Sequence, residues 1–150
     1  MTQKVLLPTV SAAERIPYIL NKGRTIAVVG LSSKPHRPSF DVAAYMQAHG
    51  YRIIPVNPNE SEVLGEKAYA TLGEAAAKEK IDVVNCFRNS EDIPAIVEEA
   101  IAIGAMAVWM QLGISHSAAA AQAEAAGLLV VQDHCLKIDH RVLLSSGMLH

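Results

Sequence analysis

Two cysteines in 150 residues, Cys86 and Cys135, are too few for a disulfide framework, and neither belongs to a CxxC pair that would begin a zinc set. Both are expected as free thiols in a reducing compartment. No apolar run approaches the length that spans a membrane, and residues 1–10 hold only a short apolar stretch broken by Pro8, so no signal peptide is read there. The expected location is the cytoplasm. An excess of positive charge is also missing. Thirteen Lys plus Arg stand against 15 Asp plus Glu, a net of −2, which excludes a global field holding nucleic acid or an anionic membrane. Any anion site must be local. Repeats, low-complexity tracts and interdomain linkers are absent too, and 150 residues at 51% hydrophobic composition suit one domain, 1–150, with a sizeable core.

What is present is an alternation of short β-branched apolar runs with longer Ala-rich stretches of helical period, the pattern of βαβ units on a parallel sheet. It predicts strands over residues 25–29, 52–56, 82–87, 105–110 and 128–131, most of them continuously apolar, as strands covered on both faces should be. Helices are predicted over 38–49, 72–79, 91–103 and 115–126, the first, third and fourth stopped by Gly50, Gly104 and Gly127. An N-terminal helix over about 11–20 would pack Ile16, Ile19 and Leu20 on the sheet edge or face as a structural lid. A final helix is read over about 135–144. Residues 60–71 stay ambiguous between short strand-like pieces, at 63–65 and 68–70, and a self-packed loop. The expected fold class is α/β: a mainly parallel five-stranded sheet with helices on both faces.

In such a sheet the segments leaving the strand C-termini gather along one crest, where ligands bind. The first, residues 30–39, joins an apolar strand to a helix start, which makes a nucleotide or phosphate site the first hypothesis. Both glycine fingerprints are lacking. Gly30 has no partner glycine two or five residues on, and no GKS or GKT follows. The second strand is equally deficient: it ends in Pro55-Val56-Asn57-Pro58-Asn59, with no carboxylate to hold ribose hydroxyls, so ordinary NAD binding is disfavoured.

The remaining turn is rich in hydroxyls and cations. Ser32, Ser33 and the helix start at Pro38 and Ser39 offer hydroxyl and N–H donors, and Lys34 with Arg37 supplies charge, a set that fits a pyrophosphate or 3′-phosphate. The plain alternative is a solvated loop with Ser39 as a cap. Asn57 either turns the chain or meets a purine or ribose edge. Phe87 packs in the core or stacks on a base, while Arg88 holds an anion or pairs with Glu91 or Asp92. Trp109 is read as core or rim packing. The next crest segment contributes Gln111 and Gly113, ahead of Ser115 as a candidate N-cap.

No catalytic set is evident. Cys135 beside His134 could be an activated thiol, but no third group in the sequence fixes the pair, and a structural cysteine is the commoner outcome. His134 and His140 fall on different helix faces, so no metal is assigned.

Taken together, Ala27-Val28-Val29-Gly30-Leu31-Ser32, Arg37-Pro38-Ser39, Ile54-Pro55-Val56-Asn57-Pro58, Leu64-Gly65, Phe87-Arg88, Trp109-Met110-Gln111-Leu112-Gly113 and Cys135-Leu136-Lys137-Ile138-Asp139-His140 resemble the stand-alone CoA-binding domain family. That family is similar to the N-terminal domain of the succinyl-CoA synthetase α subunit. The resemblance covers residues 6–144 and implies a Rossmann-like three-layer sandwich with coenzyme A over the strand C-termini. It would put Gly30, Ser32, Ser33, Arg37, Pro38 and Ser39 against the phosphates and pantetheine arm, Asn57 and Pro58 beside the adenosine, and Phe87 with Arg88 along the next edge. Lys34, Gln111 and Gly113 complete the expected ligand-binding set. One departure is His134, where family members often carry Arg. The synthetase's phosphorylation machinery lies outside this domain, so no ligase activity is implied.

The expected function is binding of coenzyme A or an acyl-CoA without chemistry, or as a regulatory signal. The alternatives are an enzyme acting on a CoA thioester through Cys135 and His134, or a nucleotide module of other specificity. Neither a nucleic-acid nor a membrane partner is expected, and a monomer and a homodimer fit the sequence equally.

Overall fold

The computed structural model describes residues 10–149; the signal-peptide reading made on residues 1–10 lies, all but Val10, outside the described range. The chain runs α1 (Ala12–Lys22), β1 (Thr25–Val29), α2 (Pro38–Ala48), β2 (Arg52–Val56), β3 (Glu62–Val63), β4 (Glu66–Lys67), α3 (Leu72–Ala76), β5 (Val83–Cys86), α4 (Ile93–Ala102), β6 (Ala107–Met110), α5 (Ser117–Ala125), β7 (Leu129–Val131) and α6 (Leu136–Ser145). Five strands form one parallel sheet in the order β2-β1-β5-β6-β7, so the chain starts near the middle and winds outward in both directions. The expected α/β sandwich is borne out.

Each strand is buried on both faces, which explains its apolar run. Along β1, Ile26 and Val28 join Leu31, Met46, Ile53, Trp109 and Leu136 on one side, packed by α1, α2 and α6. Ala27 instead faces Ile54, Val84, Val108 and Val97 on the other, packed by α3, α4 and α5. This alternation makes the three layers. Pro55, which lacks a donor, is tolerated because β2 is an edge strand. Beyond it, Tyr69 bridges to Val56, exchanging bonds with the Pro55 carbonyl and the Asn57 N–H, and so covers that edge.

Several boundaries differ from expectation for local reasons. The ambiguous 60–71 segment is a small hairpin whose turn is Leu64-Gly65, at φ 55° and 77°, so the strand piece sits at 62–63 rather than 63–65. Asp82 and Phe87 lie just outside β5, although their N–H groups still donate to the Thr25 and Val29 carbonyls, and the Asp82 carboxylate accepts the N–H groups of Arg24 and Thr25 at 2.9 and 3.0 Å. At the end of α3, Lys78 and Glu79 both turn back to the Ala75 carbonyl, so the helix stops at Ala76 instead of 79. A 3-10 turn, Ser90–Asp92, precedes α4 where regular helix was expected. Ala105 and Met106 donate to Ala100 and Asp82 carbonyls, which delays β6 to Ala107. The predicted cap of α5, Ser115, is replaced by His116, whose Nδ1 accepts the Ala119 N–H at 3.1 Å. Helix α1 extends two residues beyond the prediction, and Ser11 with Glu14 builds its capping box.

Candidate functional site

The crest at the strand C-termini is organised around Gly30. Its N–H donates to the Val56 carbonyl at 2.8 Å, its φ is +90°, and a Cβ would lie 2.8 Å from the Phe87 carbonyl oxygen. Only glycine fits this junction of the β1, β2 and β5 exits without strain. The turn that follows is braced from several directions. Ser39, the second residue of α2, is buried and its Oγ accepts the Ser32 N–H at 3.0 Å, so it shapes the turn instead of capping its own helix. Ser32 Oγ accepts from Lys34 N–H at 3.1 Å, and Glu60 Oε2 accepts from Ser33 N–H at 2.9 Å. Asn57 Nδ2 donates to the Leu31 carbonyl at 3.0 Å, while its Oδ1 accepts the Asn59 N–H at 2.9 Å, tying the loop after β2 to the loop after β1. Asn57 thus turns its own chain, as one of its two readings expects, and also braces the phosphate-type turn. Lys34 and Arg37 are exposed, and neither has an ion pair among the described residues.

Two depressions flank this turn. On the α2 and α6 side, a cleft of about 550 Å³ is walled by Pro38, Val42, Phe87, Gln111, Cys135 and Ile138, with the charged groups Asp41, Lys137 and Arg141 around it. Lys137 Nζ meets Asp41 Oδ2 at 2.9 Å, which joins α6 to α2 beside the cleft. On the other side, about 300 Å³ is enclosed by Gly30, Val56, Pro58, Thr71, Arg88 and Glu91. Of the expected residues, Pro38, Phe87 and Gln111 line the first hollow and Gly30, Pro58 and Arg88 the second, whereas Ser32, Ser33, Lys34, Arg37, Ser39, Asn57 and Gly113 line neither.

Phe87 is half-buried and packed on the core, as one of its two readings expects, and it also lines the cleft. Arg88 Nε donates to Asp92 Oδ2 at 3.4 Å, an exposed pair of the kind that yields readily. Gln111 is buried, and its Oε1 accepts from Asn85 Nδ2 at 3.2 Å and from Leu136 N–H at 3.3 Å. Its amide nitrogen is the part left for the cleft. Gly113 N–H is already taken by Asp133 Oδ1 at 2.7 Å, with Asp133 itself at φ 59°. Asp133 was not anticipated because its role depends on this loop-to-loop approach.

The group said to be missing beside His134 is supplied by Asp139, whose Oδ2 lies 2.8 Å from His134 Nδ1. His134 nevertheless borders a different hollow, with Arg15 and Gln132, while Cys135 lines the cleft. Their neighbouring positions do not place the two in one pocket. Trp109 is fully buried and donates Nε1–H to the His134 carbonyl at 2.9 Å, fixing the start of α6. Cys86 lies in the core, where burial pushes its thiol up to about 12 and makes it inert.

The family model described as CoA binding domain matches residues 24–141. The uncharacterized protein YneT of Bacillus subtilis (strain 168) is 42% identical over 127 residues, covering 85% of this chain and 93% of that protein. A hypothetical protein from Pyrococcus horikoshii OT3 superposes with a TM-score of 0.83 at 37% identity, covering 96% of this chain and 98% of the other. A dinucleotide-forming acetyl-coenzyme A synthetase 1 of Ca. Korarchaeum cryptofilum, solved with phosphate and ADP, superposes at 0.66 and 19% identity over 77% of this chain and 26% of its own. At that identity the likeness is one of fold.

Proposed function

The chain belongs to the CoA binding domain family, and from that premise we propose that it binds coenzyme A or an acyl-CoA across the C-terminal edge of its sheet, as a single cytoplasmic domain that catalyses nothing itself and serves as a carrier or regulatory sensor. One observation carries the reading: the turn after β1, whose exposed Lys34 and Arg37 have no ion pair among the described residues, runs from a hollow at Gly30 to a largely apolar cleft at Pro38. Coenzyme A has the same order of parts, a nucleoside, a diphosphate and an apolar-to-polar arm. The adenosine would take the hollow at Gly30, Pro58 and Arg88, with Asn57 bracing it. The diphosphate would meet Ser32, Ser33, Lys34, Arg37 and the start of α2 at Pro38 and Ser39. The pantetheine arm would follow Phe87 and Gln111 past Gly113 toward Cys135. Glycine at position 30 suits this path, since a Cβ there would press on the Phe87 carbonyl and the Arg88 side chain at the edge of the hollow.

Among the described residues no helix is long and apolar enough to cross a membrane. The thioester-enzyme alternative loses its main support from the separate surroundings of Cys135 and His134. Calorimetric titration of the purified chain with CoA, NAD and ATP tests the proposal: heat with CoA at micromolar ligand and none with NAD is expected. The absence of heat with CoA at high micromolar concentration would overturn it.

A further inference from the structure

The consecutive amide N–H groups of Ser32, Ser33 and Lys34, in the turn after β1, are all occupied from within the chain. For Ser32 and Lys34 the acceptors are neutral hydroxyls of the turn and its own helix, Ser39 Oγ and Ser32 Oγ, which fix its shape. The acceptor for Ser33 N–H is different in kind. It is the carboxylate of Glu60, from the loop after β2 and 27 residues away in sequence, at 2.9 Å. A carboxylate on a backbone N–H makes the same charge-assisted bond that a phosphoryl oxygen would make. Glu60 has no ion pair among the described residues, so its charge also repels an incoming anion.

We infer that Glu60 is a specificity-determining residue: it occupies the Ser33 amide as an internal anion that a ligand's phosphoryl oxygen must displace. The inference rests on the proposed seat for the diphosphate in this turn. A tethered carboxylate competes at an effective concentration on the order of millimolar. Free phosphate, held by that one exchanged bond, competes poorly with it. A diphosphate ester that also engages Lys34, Arg37 and the flanking hollows does, because those contacts add to the exchanged hydrogen bond. Selection thus shifts from the anion alone to the molecule that carries it.

Backbone amide shifts of the full chain and of Glu60→Gln and Glu60→Ala, followed with inorganic pyrophosphate and then with CoA, test this. Glu60 lies on a partly exposed loop, so both variants are expected to keep the wild-type spectrum elsewhere. The Ser33 amide should move in Glu60→Ala before any ligand is added, and pyrophosphate should shift it in both variants at concentrations that leave the wild type unchanged. CoA affinity should rise about tenfold in Glu60→Ala, with Glu60→Gln between, because Gln keeps an acceptor without the charge. Equal CoA affinity in all three chains would overturn the inference and leave the CoA reading intact. Pyrophosphate binding at Ser33 in the variants with no CoA binding in any chain would support the competing carboxylate and overturn CoA as its ligand. No response to either probe would overturn both.

Discussion

A side-chain carbon on Gly30 would stand 2.8 Å from the carbonyl oxygen of Phe87, so β1 and β5 leave the sheet at a separation that glycine alone permits. The φ of +90° adds backbone strain for any other residue. Gly30→Ala should therefore cost about 2–4 kcal/mol, combining left-handed strain with local overpacking. Urea unfolding would show it as a lower midpoint at unchanged slope. A loss below about 1 kcal/mol would mean that the two strand ends move apart easily.

Arg37 and Ser39 are two residues apart yet should fail in different ways. With no ion pair among the described residues to lose, Arg37→Gln is expected to stay within about 0.5 kcal/mol of wild-type stability. Its CoA affinity should fall about five- to thirtyfold. Ser39→Ala removes the acceptor of the part-buried Ser32 N–H and should cost about 1–2 kcal/mol of stability, with weaker binding as a consequence. Melting curves and titrations on the same samples separate the two. A destabilised Arg37→Gln would contradict the assignment.

His140 gives the fold a pH dependence on the face away from the crest. It is buried against Tyr45, whose Oη lies 2.9 Å from Nδ1, and is surrounded by His49, Tyr51 and, beyond the Tyr51 ring, Arg24. Burial first, and His49 second, hold its pKa below the usual 6.5. The unfolded chain takes up that proton near pH 6.5 and the folded chain only at lower pH, so between these values the unfolded state binds more protons. The stabilisation is complete above about pH 6.5 and declines as pH falls toward the folded value. Unfolding free energies measured from pH 7.5 to 5 should drop in the wild type and flatten in His140→Gln. Equal slopes would exclude His140 as the source.

The two thiols should report opposite environments. Cys86 is wholly buried with its pKa pushed up, whereas Cys135 borders the cleft. A thiol reagent at neutral pH should modify one cysteine per native chain and two in denaturant. Saturating CoA should slow modification of Cys135, as read by peptide mass; modification of Cys86 first would contradict the placement.

The sheet was legible because both faces of every strand are covered, leaving apolar runs that periodicity detects, and the crest followed from strand direction alone. Contacts between separate loops were not legible. Ser39 follows a helix-start proline and so looked like a cap, yet burial turns its hydroxyl toward Ser32. Asn85 sits within an apolar run and gave no sign that its amide would meet Gln111 across the sheet. Glu60 and Asp133 belong to loops whose partners lie 27 and 20 residues away, a range at which sequence spacing carries no geometric information. Asp139 beside His134 is only five residues off, but the pairing requires the chain to bend into α6.

The central claim, that coenzyme A lies along the sheet crest with its diphosphate at the turn after Gly30, is tested most directly by mapping backbone amide shifts during titration with CoA. The account predicts saturable shifts at Gly30, Ser33, Lys34 and Arg37, extending to Arg88 on one side and Gln111 on the other. Shifts confined to the opposite end of the sheet, around Arg24 and His49, or none at all, would contradict it.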